Sequence, residues 1–133
     1  MGTLIDSSVL IAWVWNQLDL EKRLADFADE DFAVSAITAS ELLHGAHRAS
    51  TAAQRRRREA FVEGLLSRMP VIVFDTVTAR IHARMSAELA SRGTAVGPHD
   101  LIIAATAVAK DYAVATRDER SFPRIPGLHL LRW

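Results

Sequence analysis

The clearest indication of the architecture comes from residues 97–118, which read GPHDLIIAATAVAKDYAVATRD. Gly97-Pro98 is typical of a helix start, because proline is tolerated in the first turn, where its missing N–H has no partner to lose. From Leu101 to Val108 the segment is apolar nearly all round, which predicts a helix buried in the core. Ala113–Thr116 is a short apolar run and predicts a strand directly after that helix.

The rest of the chain alternates between strands and helices in the same manner. Short apolar runs predict strands at Thr3–Ile5, Phe32–Ile37, Val71–Phe74 and Leu128–Leu131. Capping residues and apolar spacing predict helices over Val9–Trp15, Asp19–Ala28, a segment from a Thr38 cap through Ala46, Thr51–Arg68, and a segment from Asp75-Thr76 to about Arg92. This alternation indicates an α/β fold with a mainly parallel sheet. Ligands of such sheets bind beyond the carboxyl ends of the strands.

The composition narrows the class of protein. The chain has 133 residues, half of them hydrophobic, which predicts one compact domain over residues 1–133. It contains no cysteine, so disulfides and thiolate metal sites are excluded. No apolar stretch approaches the ~20 residues needed to cross a bilayer, and Asp6 interrupts the first apolar run before it could serve as a signal peptide. We therefore expect a cytoplasmic protein with no membrane association.

The net charge gives no general indication of nucleic-acid binding. Sixteen basic and sixteen acidic side chains cancel, so any contact with RNA must come from a local patch. One such patch is the run Arg55, Arg56, Arg57 and Arg58, and Arg117 is a further candidate. The run could instead be the solvated face of a helix.

Four carboxylates stand where the predicted elements could bring them together. Asp6 ends the first strand, and Glu41 lies on the helix after the second. Asp100 lies in the first turn of the buried helix, and Asp118 follows the strand that ends at Thr116. Because the carboxyl ends of parallel strands share one edge of a sheet, Asp6 and Asp118 are predicted to meet there. The connecting helices can bring Glu41 and Asp100 to the same edge.

Each of the four acids also has a structural explanation of its own. Asp6 could cap the helix begun by Ser7-Ser8, and Asp100 could complement a helix dipole, an effect of about 0.3–1 kcal/mol. Glu41 lies off the apolar stripe of its helix and could point to water, while Asp118 could belong to a turn. Only the joint placement of the four favours a shared site.

A convergence of four carboxylates would require a cation, because like charges in one cleft raise each other's pKa. Ligand sets made only of oxygen suit Mg²⁺ or Mn²⁺, which also bridge to phosphate oxygens. One or two such ions would activate water and stabilise the charge that develops on a phosphodiester. The acids therefore predict metal-assisted hydrolysis, for which no histidine base is required.

Four blocks of the sequence resemble the successive motifs of PIN-domain VapC toxins, in the right order and over nearly the whole chain. The blocks are LIDSSVLI at 4–11, SAITASEL at 35–42, PHDLIIAATA at 98–107 and ATRD at 115–118. The resemblance implies a three-layer α/β/α fold and an Mg²⁺- or Mn²⁺-dependent endoribonuclease that acts on RNA. It also implies a homodimer that is inhibited by a cognate VapB-like antitoxin.

The resemblance assigns roles residue by residue. Asp6, Glu41, Asp100 and Asp118 would be the catalytic, metal-binding acids, with Ser8 and Thr116 as supporting hydroxyls. One departure concerns the last motif. The family often has Asn and then Asp-Phe after the Thr-Arg pair, whereas here Asp118 occupies the Asn position and Ser121 precedes Phe122. The fourth acid therefore rests on Asp118 alone.

Three other interpretations were weighed against this one. His99-Asp100, with His44, His47 and Asp118 as possible co-ligands, could mark an HD-type phosphohydrolase, but that fold is all helical and the predicted strands argue against it. A di-iron bundle would use Glu41-x-x-His44, yet no second Glu-x-x-His is present. A non-catalytic PIN scaffold that binds RNA or a protein is a third possibility. The four acids argue against it, because an inert site has no reason to keep a cluster of repelling charges.

Overall fold

A parallel sheet forms the middle of the molecule. The computed structural model describes residues 2–14, 18–27 and 29–133. In those residues five strands pair in parallel, in the order β3-β2-β1-β4-β5. The strands are β1 Thr3–Ile5, β2 Phe32–Ser35, β3 Val71–Ile72, β4 Ala113–Thr116 and β5 Leu130–Arg132. The prediction of an α/β fold with a mainly parallel sheet is confirmed.

Six helices connect and cover the strands. They are α1 Ser7–Val14, α2 Leu20–Asp26, α3 Ala36–His47, α4 Ala52–Arg68, α5 Thr76–Ser91 and α6 Pro98–Lys110, and a 3₁₀ helix spans Phe122–Arg124. The helix α6 is the most buried of them, as its apolar sequence predicts, with Ile103, Ala104 and Ala105 fully enclosed. Of the helices in the described ranges, none combines the length and the apolar character that a bilayer crossing demands.

The sheet separates two hydrophobic cores, which gives the fold its three layers. Successive strand residues point to opposite faces. Leu4 of β1 joins a core with Ile103 of α6 and Leu89 of α5, whereas the adjacent Ile5 joins a second core with Val9 of α1 and Leu65 of α4. Both faces are therefore covered by helices, as is usual for all-parallel sheets.

Two predicted boundaries around the second strand are wrong. The strand ends at Ser35 rather than Ile37, and Ser35 rather than Thr38 is the residue that caps the next helix. The Ser35 side chain accepts a hydrogen bond from the backbone N–H of Thr38 at 3.2 Å, the contact that defines an N-cap three residues upstream of the donor. Thr38 is instead fully buried inside α3.

The segment Val71–Phe74, predicted as a four-residue strand, pairs only through Val71 and Ile72. The reason is that β3 is an edge strand whose only partner among the described strands, β2, ends at Ser35. Val73 and Phe74 therefore continue beyond the sheet and are 64% and 42% exposed. The last strand is also displaced from Leu128–Leu131 to Leu130–Arg132, where it pairs with β4. The α2 end predicted at Ala28 and the α1 end predicted at Trp15 lie outside the described residues.

Candidate active site

Asp6 directly follows the central strand β1, and its surroundings orient one carboxylate oxygen. The residue is only 3% exposed. Its Oδ2 accepts hydrogen bonds from the Ser8 hydroxyl at 2.7 Å, from the Thr116 hydroxyl at 3.0 Å and from the Ser8 backbone N–H at 3.4 Å. All of the hydrogen bonds found to the Asp6 side chain within the described ranges go to Oδ2, so Oδ1 is available for another ligand.

The end of β4 completes this network from the other side of β1. The Thr116 hydroxyl accepts the backbone N–H of Asp118 at 2.9 Å, and the Ser8 hydroxyl accepts that of Arg117 at 3.0 Å. Asp118 itself accepts the N–H of Arg120 at 2.8 Å through Oδ1, so the predicted turn contact is present. These bonds hold Asp6 and Asp118 at one edge of the sheet, where the sequence predicts them.

Glu41 reaches the same edge from α3 and does not point to water. Its Oε1 is buried without a hydrogen-bond partner, the one such side-chain atom in the part of the chain that the structure describes. Its Oε2 lies 3.7 Å from His99 Nδ1. Burial raises the pKa of Glu41, and Asp6 and Asp100 raise it further against the opposing effect of His99. A buried carboxylate oxygen with no partner costs free energy, which indicates that a ligand belongs there.

Asp100 lies in the first turn of α6 and faces the other acids. Burial raises its pKa, and the charges of Asp6 and Asp118 act in the same direction. A side-chain hydrogen bond from Ser121 opposes this rise and lowers the pKa. The structure therefore brings Asp6 and Asp100 within electrostatic reach of Glu41, and Asp6 and Asp118 within reach of Asp100, from four separate segments of the chain.

The four acids do not form a closed metal cage. Within residues 2–14, 18–27 and 29–133, no three histidine, aspartate or glutamate side chains are close enough together to ligate one ion as they stand. The acids are nevertheless close enough for Asp6 and Asp118 to raise the pKa of Asp100. Mg²⁺ usually keeps several waters and takes only one or two carboxylates directly, so it does not require three protein ligands within direct reach.

Two residues near the acids were not predicted as parts of the site. His99 contacts Glu41 across two helices, although the sequence suggested only its pairing with Asp100 in an HD dipeptide. Ser121 approaches Asp100 and accepts the N–H of Gly97 at 3.2 Å, from 24 residues away. The departure from the family motif at Ser121 was the only sequence signal for that contact.

The arginine candidates are exposed but differ in their surroundings. Arg57 and Arg58 line a cavity of about 600 Å³ that also includes Glu41, and Arg58 donates to the Gly45 carbonyl at 3.3 Å. Arg55 and Arg56 lie on the same helix, outside the lining of that cavity. Arg117 donates to the Trp133 carbonyl at 2.7 Å, which ties its guanidinium to the last strand. An RNA-binding role stays a prediction for all five.

The HD-type interpretation is wrong because the fold contains a five-stranded sheet. The two additional histidines proposed for it do not join His99-Asp100. His44 and His47 are exposed on α3, and His47 lies 3.4 Å from Glu59 of α4. Neither residue contributes to the acidic edge of the sheet.

Comparisons with known proteins agree with the geometry. A family model described as PIN domain matches residues 3–128. The chain is 35% identical to the tRNA(fMet)-specific endonuclease VapC of Salmonella typhimurium, covering 98% of this chain and 96% of the relative. It is 30% identical to ribonuclease VapC1 of Rickettsia felis over the same shares of the two chains.

Solved structures resemble the whole chain as well. A chain of the DNA-bound VapBC complex of Salmonella typhimurium superposes with a TM-score of 0.89 at 32% identity, covering 98% of this chain and 97% of that one. A chain of VapBC-5 from Mycobacterium tuberculosis superposes with a TM-score of 0.79 at 31% identity, with 99% and 98% coverage.

Proposed function

Because this chain belongs to the PIN-domain family, and within it to the VapC ribonucleases, we propose that it is a metal-dependent endoribonuclease that hydrolyses RNA phosphodiester bonds. The observation that carries the proposal is the arrangement of Asp6, Glu41, Asp100 and Asp118. Four segments bring these acids to the carboxyl edge of a parallel sheet, where Asp6 is oriented through one oxygen and Glu41 has a buried oxygen without a partner. A bound cation would offset the repulsion among these carboxylates.

The four acids fit one or two Mg²⁺ or Mn²⁺ ions. All donors are carboxylate oxygens, the ligands that these hard cations prefer. Asp6, Glu41, Asp100 and Asp118 would hold the metal, directly or through water. When bound, the metal supplies Lewis-acid polarisation of the phosphodiester and activation of water for its attack.

The chain's own residues prepare the site in two ways. Ser8 and Thr116 hold Asp6 through Oδ2, so its carboxylate does not have to be reoriented when the substrate arrives. The acids make the cleft negative and repel RNA, so cations at its rim must guide the substrate. Arg57 and Arg58 are the best placed, because they line the cavity that includes Glu41.

We further propose that the chain is the toxin of a toxin–antitoxin pair with a VapB-like antitoxin, since its similar solved structures are VapBC complexes. The cavity beside Glu41 offers a binding surface, because it runs along α1, α3 and α4 and has an apolar wall. Ile11, Val14 and Phe61 are 49%, 53% and 43% exposed along that wall. Exposed apolar surface of this kind marks protein-binding sites. The proposed substrate and partner place the activity in the cytoplasm.

RNA cleavage by the purified protein tests the nuclease. We expect cleavage with Mg²⁺ or Mn²⁺, none in EDTA, and loss of activity in Asp100→Asn. Asp111→Asn is the matched control, because Asp111 lies at the other end of α6 with φ 55°, a conformation that asparagine tolerates. Cleavage that persists in EDTA or in Asp100→Asn would refute the metal mechanism.

Calorimetry with Mn²⁺ distinguishes the nuclease from an inert PIN scaffold. Binding heat in the wild type that is lost in Asp6→Ala supports the metal site, whereas no heat in the wild type favours the scaffold. The toxin role is tested separately, by growth arrest on expression and its relief by an antitoxin encoded beside the gene. Unimpaired growth would count against the toxin role and leave the nuclease proposal intact.

A further inference from the structure

Ser121 lies in the loop after β4 and is fixed in position by its neighbour. It directly precedes the 3₁₀ helix Phe122–Arg124, and Phe122 is fully buried in the core that also contains Leu101 and Ile103 of α6. The Ser121 hydroxyl accepts the backbone N–H of Gly97 at 3.2 Å, and Gly97 is the residue from which α6 starts. The loop is therefore attached to the helix end that carries Asp100.

The absence of a side chain at Gly97 lets the serine and the acid approach each other. A Cβ atom built on Gly97 would lie 3.0 Å from Asp100 Oδ2 and 3.5 Å from Ser121 Oγ. The Asp100 carboxylate and the Ser121 hydroxyl therefore both lie beside Gly97, where any other residue would carry its side chain. A serine hydroxyl has a single proton to donate. Because its oxygen already accepts from Gly97, that proton is free for the Asp100 carboxylate.

We propose that Ser121 is a positioning residue for Asp100. Its hydroxyl accepts from Gly97, donates to one oxygen of Asp100 and leaves the other oxygen to face the cation. The inference rests on the proposed function, because the cation is the ligand that Asp100 would serve. The hydroxyl orients the acid without adding a further repelling charge.

A second contact from the same loop allows the positioning of Asp100 to be distinguished from structural support of α6. The Arg124 guanidinium donates to the Ala95 carbonyl at 3.0 Å, just before α6. Arg124 therefore attaches the loop to the segment just before α6. Its hydrogen bond goes to Ala95 and not to Asp100. Replacing it removes loop support and leaves the hydroxyl in place.

The experiment measures Mn²⁺ affinity by calorimetry and Tm without metal. The variants are Ser121→Ala, the conservative Ser121→Thr, Arg124→Ala and, as a matched loss of a surface hydroxyl, Ser91→Ala, whose Oγ donates to the Glu88 carbonyl within α5. Loss of a group that orients a metal ligand typically weakens binding by about 10-fold or more, so we expect this of Ser121→Ala. Ser121→Thr and Ser91→Ala should bind like the wild type, and Arg124→Ala should lower Tm with little change in affinity.

Three outcomes would overturn the inference. One is unchanged affinity in Ser121→Ala, and another is an equal loss of affinity in Ser121→Thr. The third is a loss in Arg124→Ala as large as that in Ser121→Ala, since the loop rather than the hydroxyl would then be responsible. A wild type that binds no Mn²⁺ would instead refute the proposed function together with this inference. The wild-type measurement comes first, so this failure is distinguished from a failure of the inference alone.

Discussion

The hydroxyls of Ser8 and Thr116 donate to the same carboxylate oxygen of Asp6, at 2.7 and 3.0 Å, although the two residues stand 108 positions apart in the chain. Ser8 belongs to the first turn of α1, and Thr116 is the last residue of β4. The two hydroxyls are themselves 3.3 Å apart. An acid held in this way loses little conformational freedom when it binds a cation.

Thr116→Val tests the orientation of Asp6. The variant keeps the shape of the buried side chain and removes the hydrogen bond to Asp6, together with the acceptor of the Asp118 N–H, so we expect Mn²⁺ affinity to fall by about 10-fold. Thr106→Val is the matched control, because Thr106 is equally buried but donates to the Ile102 carbonyl of its own helix. Calorimetry on both proteins makes the comparison. Equal affinities for the two variants would contradict the role given to Thr116.

Glu41→Gln is expected to stabilise the metal-free protein at neutral pH. Burial raises the pKa of Glu41 in the folded protein above the ordinary value of 4.5 that it has in the unfolded chain. At pH values between these two pKa values, the folded protein therefore binds more protons than the unfolded chain. Stability therefore falls as pH rises through that window, and glutamine avoids the loss. A stabilising substitution of ordinary size would raise Tm by about 2–5 °C at pH 7.

Low pH should reduce the difference in Tm between the wild type and Glu41→Gln, and bound metal should reverse its sign. At pH 4 the difference in Tm between wild type and Glu41→Gln should shrink, and Mn²⁺ at pH 7 should stabilise the wild type more than the variant. Glu63→Gln, at an exposed position of α4, is the control. A Tm of Glu41→Gln below the wild type in EDTA at pH 7 would show that ionised Glu41 is not strained.

Arg57 and Arg58 are expected to bind the RNA backbone. Replacing both with glutamine in an Asp100→Asn background, which leaves RNA uncut, should weaken binding and reduce its salt dependence. For single-stranded RNA each lost phosphate contact lowers the slope of log K against log salt by about 0.7. Arg80→Gln with Arg84→Gln, at exposed positions of α5, is the control of equal charge. If both pairs give the wild-type slope, the arginine run is only a solvated helix face.

Phe61→Asp is expected to weaken antitoxin binding more than it weakens RNA cleavage, although its charge lies in the cavity that Arg57 and Arg58 also line. Phe61 is 43% exposed, packs against Trp13 with ring centroids 5.6 Å apart, and lines the cavity that includes Glu41. Loss of a central aromatic contact commonly weakens an interface by about 10- to 100-fold. Affinity for the antitoxin and cleavage of a short RNA are the two measurements. Ala87→Asp, at an exposed position of α5, serves as control, and an unaltered antitoxin affinity in Phe61→Asp would locate the partner elsewhere.

A second apolar patch supports the expected homodimer. Val73, Phe74 and Val77 are 64%, 42% and 56% exposed, where the edge strand β3 leads into α5. We expect the wild type to sediment as a dimer and Val77→Asp as a monomer, because a charge there would have to be buried at the interface. Phe61→Asp should remain dimeric. A wild type that sediments as a monomer would refute this prediction.

Much of the site could be predicted because the sequence patterns that indicate it lie within single strands and helices. Asp6 and Asp118 each follow a short apolar strand, and Asp100 lies in the first turn of a helix that is apolar on every side. The parallel sheet then places such residues at one edge. Glu41 is different, because its position off the apolar stripe is equally compatible with solvent, and only the packing of α3 buries its Oε1.

The residues that were missed depend on contacts between distant segments. Ser121 reaches Gly97 across 24 residues, and His99 reaches Glu41 between two helices, so no periodicity indicates either contact. The end of β3 was misjudged for a related reason. Val73 and Phe74 have the composition of a strand, but whether they pair depends on the length of the neighbouring strand β2.

The central position of β1 has a consequence for the timing of synthesis. Asp6 leaves the ribosome early, whereas Thr116, which orients it, follows 110 residues later. At about 5–20 residues per second, on the order of ten seconds separate the two. Pairing of β1 with β4 also waits for that distant segment. If Asp118 acts as proposed, a nascent chain is an incomplete nuclease until residue 118 has emerged, which gives an inhibitor time to be present before the first active molecule exists.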